Sequence, residues 1–188
     1  STLVETTAIA SSTNDSTPDY TFVSSEAGTI TYSGSCSSST TSAIAGTNTI
    51  TLNSLSDGTY SDCKITVTDS LENAVTLNIG SFVIDTTAPT VTSVSTNANN
   101  QSSVAITDNI SVTFSKAMDT TSVTTNTSNT SCSGTLRVSS DNFSNCVQMA
   151  SSPSSSNSDK TFTLDPSDNL TGGTTYLTRV TTGVTDSA

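Results

Sequence analysis

Through much of this chain an apolar residue is followed by a hydroxyl residue and then by another apolar one. This is the period-two pattern of a strand with one buried and one wetted face. It is cleanest in Asp62-Cys-Lys-Ile-Thr-Val-Thr68, where Cys63, Ile65 and Val67 share a face, and in Ile110-Ser-Val-Thr-Phe114. Before the midpoint the same reading gives strands at Tyr20-Thr-Phe-Val23, Thr29-Ile-Thr-Tyr32, Asn48-Thr-Ile-Thr-Leu52, Val75-Thr-Leu-Asn-Ile79 and Phe82-Val-Ile84. Turn chemistry separates them: Glu26-Ala-Gly28, Leu55-Ser-Asp-Gly-Thr-Tyr60 and Asp69-Ser-Leu-Glu-Asn73. About seven short strands between turns is the pattern of a β-sandwich.

The segment Asp85-Thr-Thr-Ala-Pro-Thr90 divides the chain, with a strand on either side and a proline that stiffens an extended junction. Two different modules in tandem are expected, at residues 1–88 and 89–188. Beyond the junction, strands are expected at Val91-Thr-Ser-Val94, Ile110 to Phe114, Thr135-Leu-Arg-Val138, Cys146-Val-Gln-Met149, Lys160-Thr-Phe-Thr-Leu164 and Thr175-Tyr-Leu-Thr-Arg-Val180. Residues 115–122 suit a single helical turn, and the serine-rich tract 151–159 reads as a flexible loop. No helix of ordinary length is predicted, so the fold class is all-β, two tandem β-sandwiches.

Composition sharpens this picture by exclusion. Serine and threonine supply 78 of 188 residues, and there is no histidine. No general base poised near neutral pH is therefore present. Nucleophilic catalysis needs such a base beside the Ser, Thr or Cys, and no Gly-x-Ser-x-Gly elbow occurs, so an enzyme is not expected. The formal charge is −11, from 16 acidic and 5 basic residues. Lys64, Lys116, Arg137, Lys160 and Arg179 lie scattered along the sequence, which argues against nucleic acid as a partner.

Four cysteines allow three pairings, and their spacing favours Cys36–Cys63 and Cys132–Cys146, one bridge per half. Loops of about 15 to 28 residues closed in this way each stabilise by on the order of 3 kcal/mol. Disulfides imply an oxidising compartment, hence an extracellular, cell-surface or secreted setting. A signal peptide, a lipid-anchor signal and an apolar run of membrane-spanning length are all missing, so a mature or excised piece without membrane insertion is expected.

Two kinds of site are suggested by residue type. Asp85 at the junction, with Asp108, Asp119 and Asp186 near turns, could converge on Ca²⁺, which takes six to eight oxygens. The plainer reading is that these aspartates cap turns. Asn-x-Ser/Thr occurs at Asn14, Asn100, Asn109, Asn126, Asn129, Asn142 and Asn169, each a candidate for glycosylation. Runs such as residues 37–42, 120–125 and 151–156 could accept O-linked sugars, or stay as bare polar loops.

The first half resembles a bacterial Ig-like repeat, through Asn14-Asp-Ser-Thr-Pro-Asp-Tyr-Thr-Phe22, Glu26-Ala-Gly-Thr-Ile-Thr-Tyr32, Leu55-Ser-Asp-Gly-Thr-Tyr60 and Phe82-Val-Ile-Asp-Thr-Thr-Ala-Pro89. The second is similar to the Ig-like domain of S-layer and adhesin proteins, through Ile110-Ser-Val-Thr-Phe-Ser-Lys-Ala-Met-Asp119 and Leu170-Thr-Gly-Gly-Thr-Thr-Tyr176 leading to Val184-Thr-Asp-Ser-Ala188. The resemblance implies a cell-surface setting and brings no catalytic residues. In that family the Asp-Ser-Ala ending is followed by Gly-Asn and a final strand, so the second module is expected to lack its last strand. Leu3, Val4 and Ile9 then become candidates for a strand donated to a neighbouring copy; the alternative is that they are strand A of their own module. The expected function is a structural repeat module, a spacer or head-to-tail filament subunit of a bacterial surface appendage, joined to copies of itself and carrying glycans. The alternative is an adhesin segment that contacts carbohydrate or a host protein through loops such as 37–42 or 151–156.

Overall fold

A computed structural model describes residues 1–95 and 104–188. The chain forms two compact units, Ser1–Thr87 and Ala88–Ser187. Both are all-β, and no helix occurs among the described residues.

The first unit contains β1 (Leu3–Thr7), β2 (Ser12–Thr13), β3 (Asp19–Ser24), β4 (Gly28–Ser33), β5 (Ser42–Ala43), β6 (Gly46–Thr51), β7 (Gly58–Tyr60), β8 (Lys64–Thr68), β9 (Ala74–Asn78) and β10 (Phe82–Ile84). They assemble into sheets ordered β1-β3-β6, β2-β10-β7 and β5-β4-β8-β9. The alternation explains which face each strand buries. Tyr20 and Phe22 of β3, Ile30 of β4, Ile50 of β6, Ile65 and Val67 of β8, and Phe82 and Ile84 of β10 form one core. The intervening threonines stay outside, where Thr21–Thr49 and Thr66–Thr76 hydroxyls meet across strands at 3.0 and 2.8 Å. The Cys36–Cys63 bridge is buried in this core (Cα–Cα 5.2 Å) and ties the chain after β4 to the start of its neighbour β8.

The strand-donor expectation is corrected here. β1 is paired antiparallel with β3 of its own unit, Val4 opposite Val23, and Leu3 and Ile9 pack against the first core. The Tyr20 hydroxyl donates to Glu5 Oε2 at 2.9 Å, which fixes β1 further. Burial, and then that carboxylate, push the Tyr20 phenol well above its ordinary range. Leu3, Val4 and Ile9 thus belong to the first unit's own sheet.

The second unit contains β11 (Val91–Ser95), β12 (Ile110–Phe114), β13 (Leu136–Ser139), β14 (Ser154–Ser156), β15 (Thr161–Leu164) and β16 (Leu177–Val180). One sheet runs β11-β12-β15-β14 and the other is the pair β13-β16. Val112, Phe114, Phe162 and Leu164 from the first meet Leu136 and Val138 from the second in a single core. Lettered in chain order, the sheets are A-B-E-D and C-F, the connectivity of an immunoglobulin-like sandwich, whose seventh strand, G, would lie beside F. Cys132–Cys146 (Cα–Cα 5.0 Å) pins the segments that flank β13.

Three local expectations change. Residues 115–122 form no helix; Met118 bridges Asp186, and a turn closes from Ser122 N to Asp119 O at 3.0 Å. The tract 151–159 contains β14, an edge strand exposed at every position. The expected strand at Cys146 to Met149 is a loop, bound by Val147 N to Val138 O (2.8 Å) and by a bridge from Met149 to Pro166.

Candidate functional site

The sequence-predicted residues divide by what surrounds them. Asn14, Asn109, Asn129, Asn142 and Asn169 are exposed. Asn100 lies outside the described residues. Asn126 is only 2 % exposed, and its Nδ2, the atom a glycan would need, donates to Asn129 O (2.8 Å) and Val147 O (3.1 Å). It is therefore a structural residue that ties loops beside β13 and not a glycan acceptor in the folded protein.

Among the described residues no three His, Cys, Asp or Glu side chains gather to hold a metal ion. Asp119 Oδ1 instead accepts from Thr121 Oγ1 (2.7 Å) and Thr121 N (2.9 Å), and these bonds hold its pKa below the ordinary carboxyl value. Asp186 stands 3.5 Å from Lys116, Asp85 Oδ1 accepts from Thr87 N (3.3 Å), and Asp108 N closes a turn onto Ala105 O (3.1 Å). Asp85, Asp108, Asp119 and Asp186 are turn and ion-pair residues.

A feature the sequence hid is on the outer face of the β13–β16 sheet. The register sets Arg137 directly opposite Arg179. Like charges in this position repel, and the chain has only five cations to distribute. Each is held by a contact that leaves its charge uncompensated. Arg137 Nε donates to Gly134 O (2.8 Å), and the Arg179 guanidinium lies 3.7 Å over the Phe143 ring. Among the described residues neither is within 4.0 Å of a carboxylate oxygen.

The loop beneath Arg179 explains why. Asp141, the nearest acid in sequence, turns into its own loop: Oδ1 accepts from Asn145 N (2.9 Å) and lies 2.8 Å from Ser139 Oγ, while Oδ2 accepts from Asn145 Nδ2 (2.8 Å). The Asn145 backbone and side-chain bonds, and then Ser139, hold the carboxyl down to about 2. Ser139, fully buried, also accepts Phe143 N at 2.9 Å. These bonds hold Asn142 and Phe143 at φ 59° and 65°, a conformation side chains enter only under constraint. The result is a fixed aromatic seat for Arg179. No local signal could have announced the arginine pair, because only sheet register brings 137 and 179 together.

The two β-strand edges of this sheet also differ. Leu136 N donates to Thr124 O (2.8 Å), Thr125 Oγ1 to Leu136 O (2.9 Å) and Val147 N to Val138 O (2.8 Å), so the outer edge of β13 is closed. Thr181 N donates to Thr135 O (2.9 Å). By the parity of an antiparallel ladder, Thr178 and Val180 then turn their N–H and C=O groups away from β13. No strand pairs with that side of β16 among the described residues.

The strand order and the shared core define the second unit as an immunoglobulin-like β-sandwich. A family model described as the bacterial Ig-like domain matches residues 85–188, more than half of the chain, and the chain belongs to that family. No curated protein and no solved structure matches it. Family and disulfides together are compatible with an extracellular or surface protein.

Proposed function

We propose that the chain is a structural module of the bacterial exterior, a spacer or subunit that joins head-to-tail to neighbouring copies, with glycans on exposed asparagines such as Asn14, Asn109, Asn129, Asn142 or Asn169. The observation that carries this reading is the match of residues 85–188 to the bacterial Ig-like family, in a chain whose two units are each pinned by a disulfide of their own. We further read the first unit as a second Ig-like module. Its disulfide-pinned, hydroxyl-faced sandwich suits a load-bearing spacer in an oxidising medium.

The test is immunogold electron microscopy of the native material. Label at regular intervals along fibres or stalks outside the cell supports the reading. Label confined to the cytoplasm, or on dispersed single particles, overturns it. The adhesin alternative has less support, since residues 154–156 of one proposed contact loop are an edge strand and neither loop contains an aromatic residue.

A further inference from the structure

The acidic surplus is unevenly shared. The first unit has nine carboxylates against Lys64 alone, net −8, while the second has seven against four cations, net −3. Together these give the −11 of the whole chain. The second unit also holds the uncompensated Arg137–Arg179 pair, and beside it on the same strand Leu177 is 48 % exposed. A surface with a cationic pair and an adjoining apolar side chain fits a partner that offers a carboxylate next to an apolar knob.

The first unit has one such feature. Its exposed large apolar side chains are Val4, Ile44 and Leu71. Ile44 has no acidic neighbour in sequence. Val4 adjoins Glu5, but that carboxylate is taken by the Tyr20 hydroxyl. Leu71, 81 % exposed, adjoins Glu72, also exposed, at the tip of the β8–β9 hairpin. The tip is rigid. Asp69 Oδ1 accepts from Leu71 N (2.8 Å) and Asn73 N (3.0 Å), Asn73 Nδ2 reaches Asp69 Oδ2 (3.0 Å), and Glu72 is held at φ 64°. Leu71 and Glu72 are thus presented with little conformational entropy left to lose on docking.

We infer that the β8–β9 tip of one copy docks on the outer face of the β13–β16 sheet of the next, Glu72 between Arg137 and Arg179 and Leu71 against Leu177. This rests on the head-to-tail reading and specifies what each copy presents. The contact is heterologous, tip to face, so a row of copies keeps one free tip at one end and one free face at the other and can extend. A bidentate guanidinium–carboxylate pairing supplies direction as well as attraction.

The test is sedimentation of the whole chain across a concentration series at about 0.01 M and about 1 M salt, where charges are screened beyond roughly 30 and 3 Å respectively. Weight-average mass should rise above that of one chain with concentration in low salt and fall back in high salt. Arg179→Glu and Glu72→Arg should each weaken association about tenfold or more. The chain that combines both should recover part of it, because the reversed tip then meets the carboxylate placed at position 179 while Arg137 still opposes it. Leu71→Asp should weaken it as well. These positions are exposed or half-exposed, and an unchanged melting temperature shows that each variant is folded. A chain that stays single at all concentrations in low salt overturns the proposal. So does association indifferent to both reversals, or a double reversal that restores none of it. None of these outcomes bears on the imaging test, so the docking contact and the surface-module reading can fail separately.

Discussion

Removal of the Cys36–Cys63 bridge by the double replacement Cys36→Ala/Cys63→Ala should nearly unfold the first unit. The cysteines are 27 positions apart, and a closed loop of about 28 residues withholds about 3.6 kcal/mol of chain entropy from the unfolded state. Cys36 and Cys63 are 3 % and 2 % exposed within the core, so each lost sulfur also leaves a methyl-sized void worth about 1 kcal/mol. The sum of about 5–6 kcal/mol meets a total stability of about 4–13 kcal/mol for a unit of this length. The Cys132–Cys146 bridge, 14 positions apart, withholds about 3.0 kcal/mol by the same relation, and only Cys146 of that pair is fully buried.

The assay follows from where the aromatic residues fall. Tyr20, Tyr32 and Tyr60 lie in the first unit and Tyr176 alone in the second, with no tryptophan to mask them. Tyrosine fluorescence under urea therefore follows mainly the first unit, while the far-ultraviolet signal follows both. The first double variant should move the tyrosine transition by at least about 15 °C in a thermal scan, since 1 kcal/mol shifts a domain of this size by roughly 4–8 °C. The second should leave that transition in place. A first double variant that loses less than about 1 kcal/mol, or a second that moves the tyrosine transition equally, refutes the reasoning that each bridge stabilises its own sandwich by constraining its own unfolded chain.

Two further predictions address the loops. Asp141 has a depressed folded pKa, so its contribution to stability is present above the ordinary carboxyl value of about 3.9 and is lost as pH falls through about 2. Asp141→Asn should remove this segment of the acid sensitivity, and the ring-shifted Arg179 resonances over Phe143 should collapse with the Asp141 midpoint in an NMR titration. Gly34 and Gly173 both have left-handed φ, at 80° and 70°, but a Cβ on Gly34 runs into the Asp62 carbonyl whereas Gly173 faces open space. Gly173→Ala should cost about 1–2 kcal/mol for the conformation alone, and Gly34→Ala distinctly more by denaturant midpoint, the difference being the collision with Asp62.

The strands that were legible in the sequence are those with one wet and one dry face. β8, β12 and β15 alternate because each lies in the interior of a sheet over a core, and their apolar positions are the buried ones. β14 was illegible for the opposite reason: an edge strand exposed on both faces needs no apolar residue, so three serines suffice and look like a loop. The cysteine pairing was readable because both bridges are short-range. Asn126 was misread because a sequon is a three-residue rule, while one of the bonds that occupy its Nδ2 goes to the Val147 carbonyl, which is distant in sequence. The arginine pair was hidden likewise, since cations that look scattered along the chain become neighbours only through the β13–β16 register.

The abundance of hydroxyls then takes on a structural meaning beyond solubility. On the outer faces the strands are laced by paired hydroxyls: Thr21–Thr49, Thr66–Thr76, Ser111–Thr163 at 3.0 Å and Thr113–Thr161 at 3.1 Å. Such cross-strand pairs contribute roughly 0.2–1 kcal/mol each without any charge, so the sheets owe little to ion pairs and salt has little attraction within them to weaken. Against that neutral lattice, an arginine pair with no carboxylate beside it is not there to stabilise its own sheet; repulsion across the register makes it a small liability to the fold. On the docking proposal its compensation comes from Glu72 of a neighbouring copy, and salt separates the two roles: the sandwiches hold while the Glu72-to-arginine contact between copies lets go.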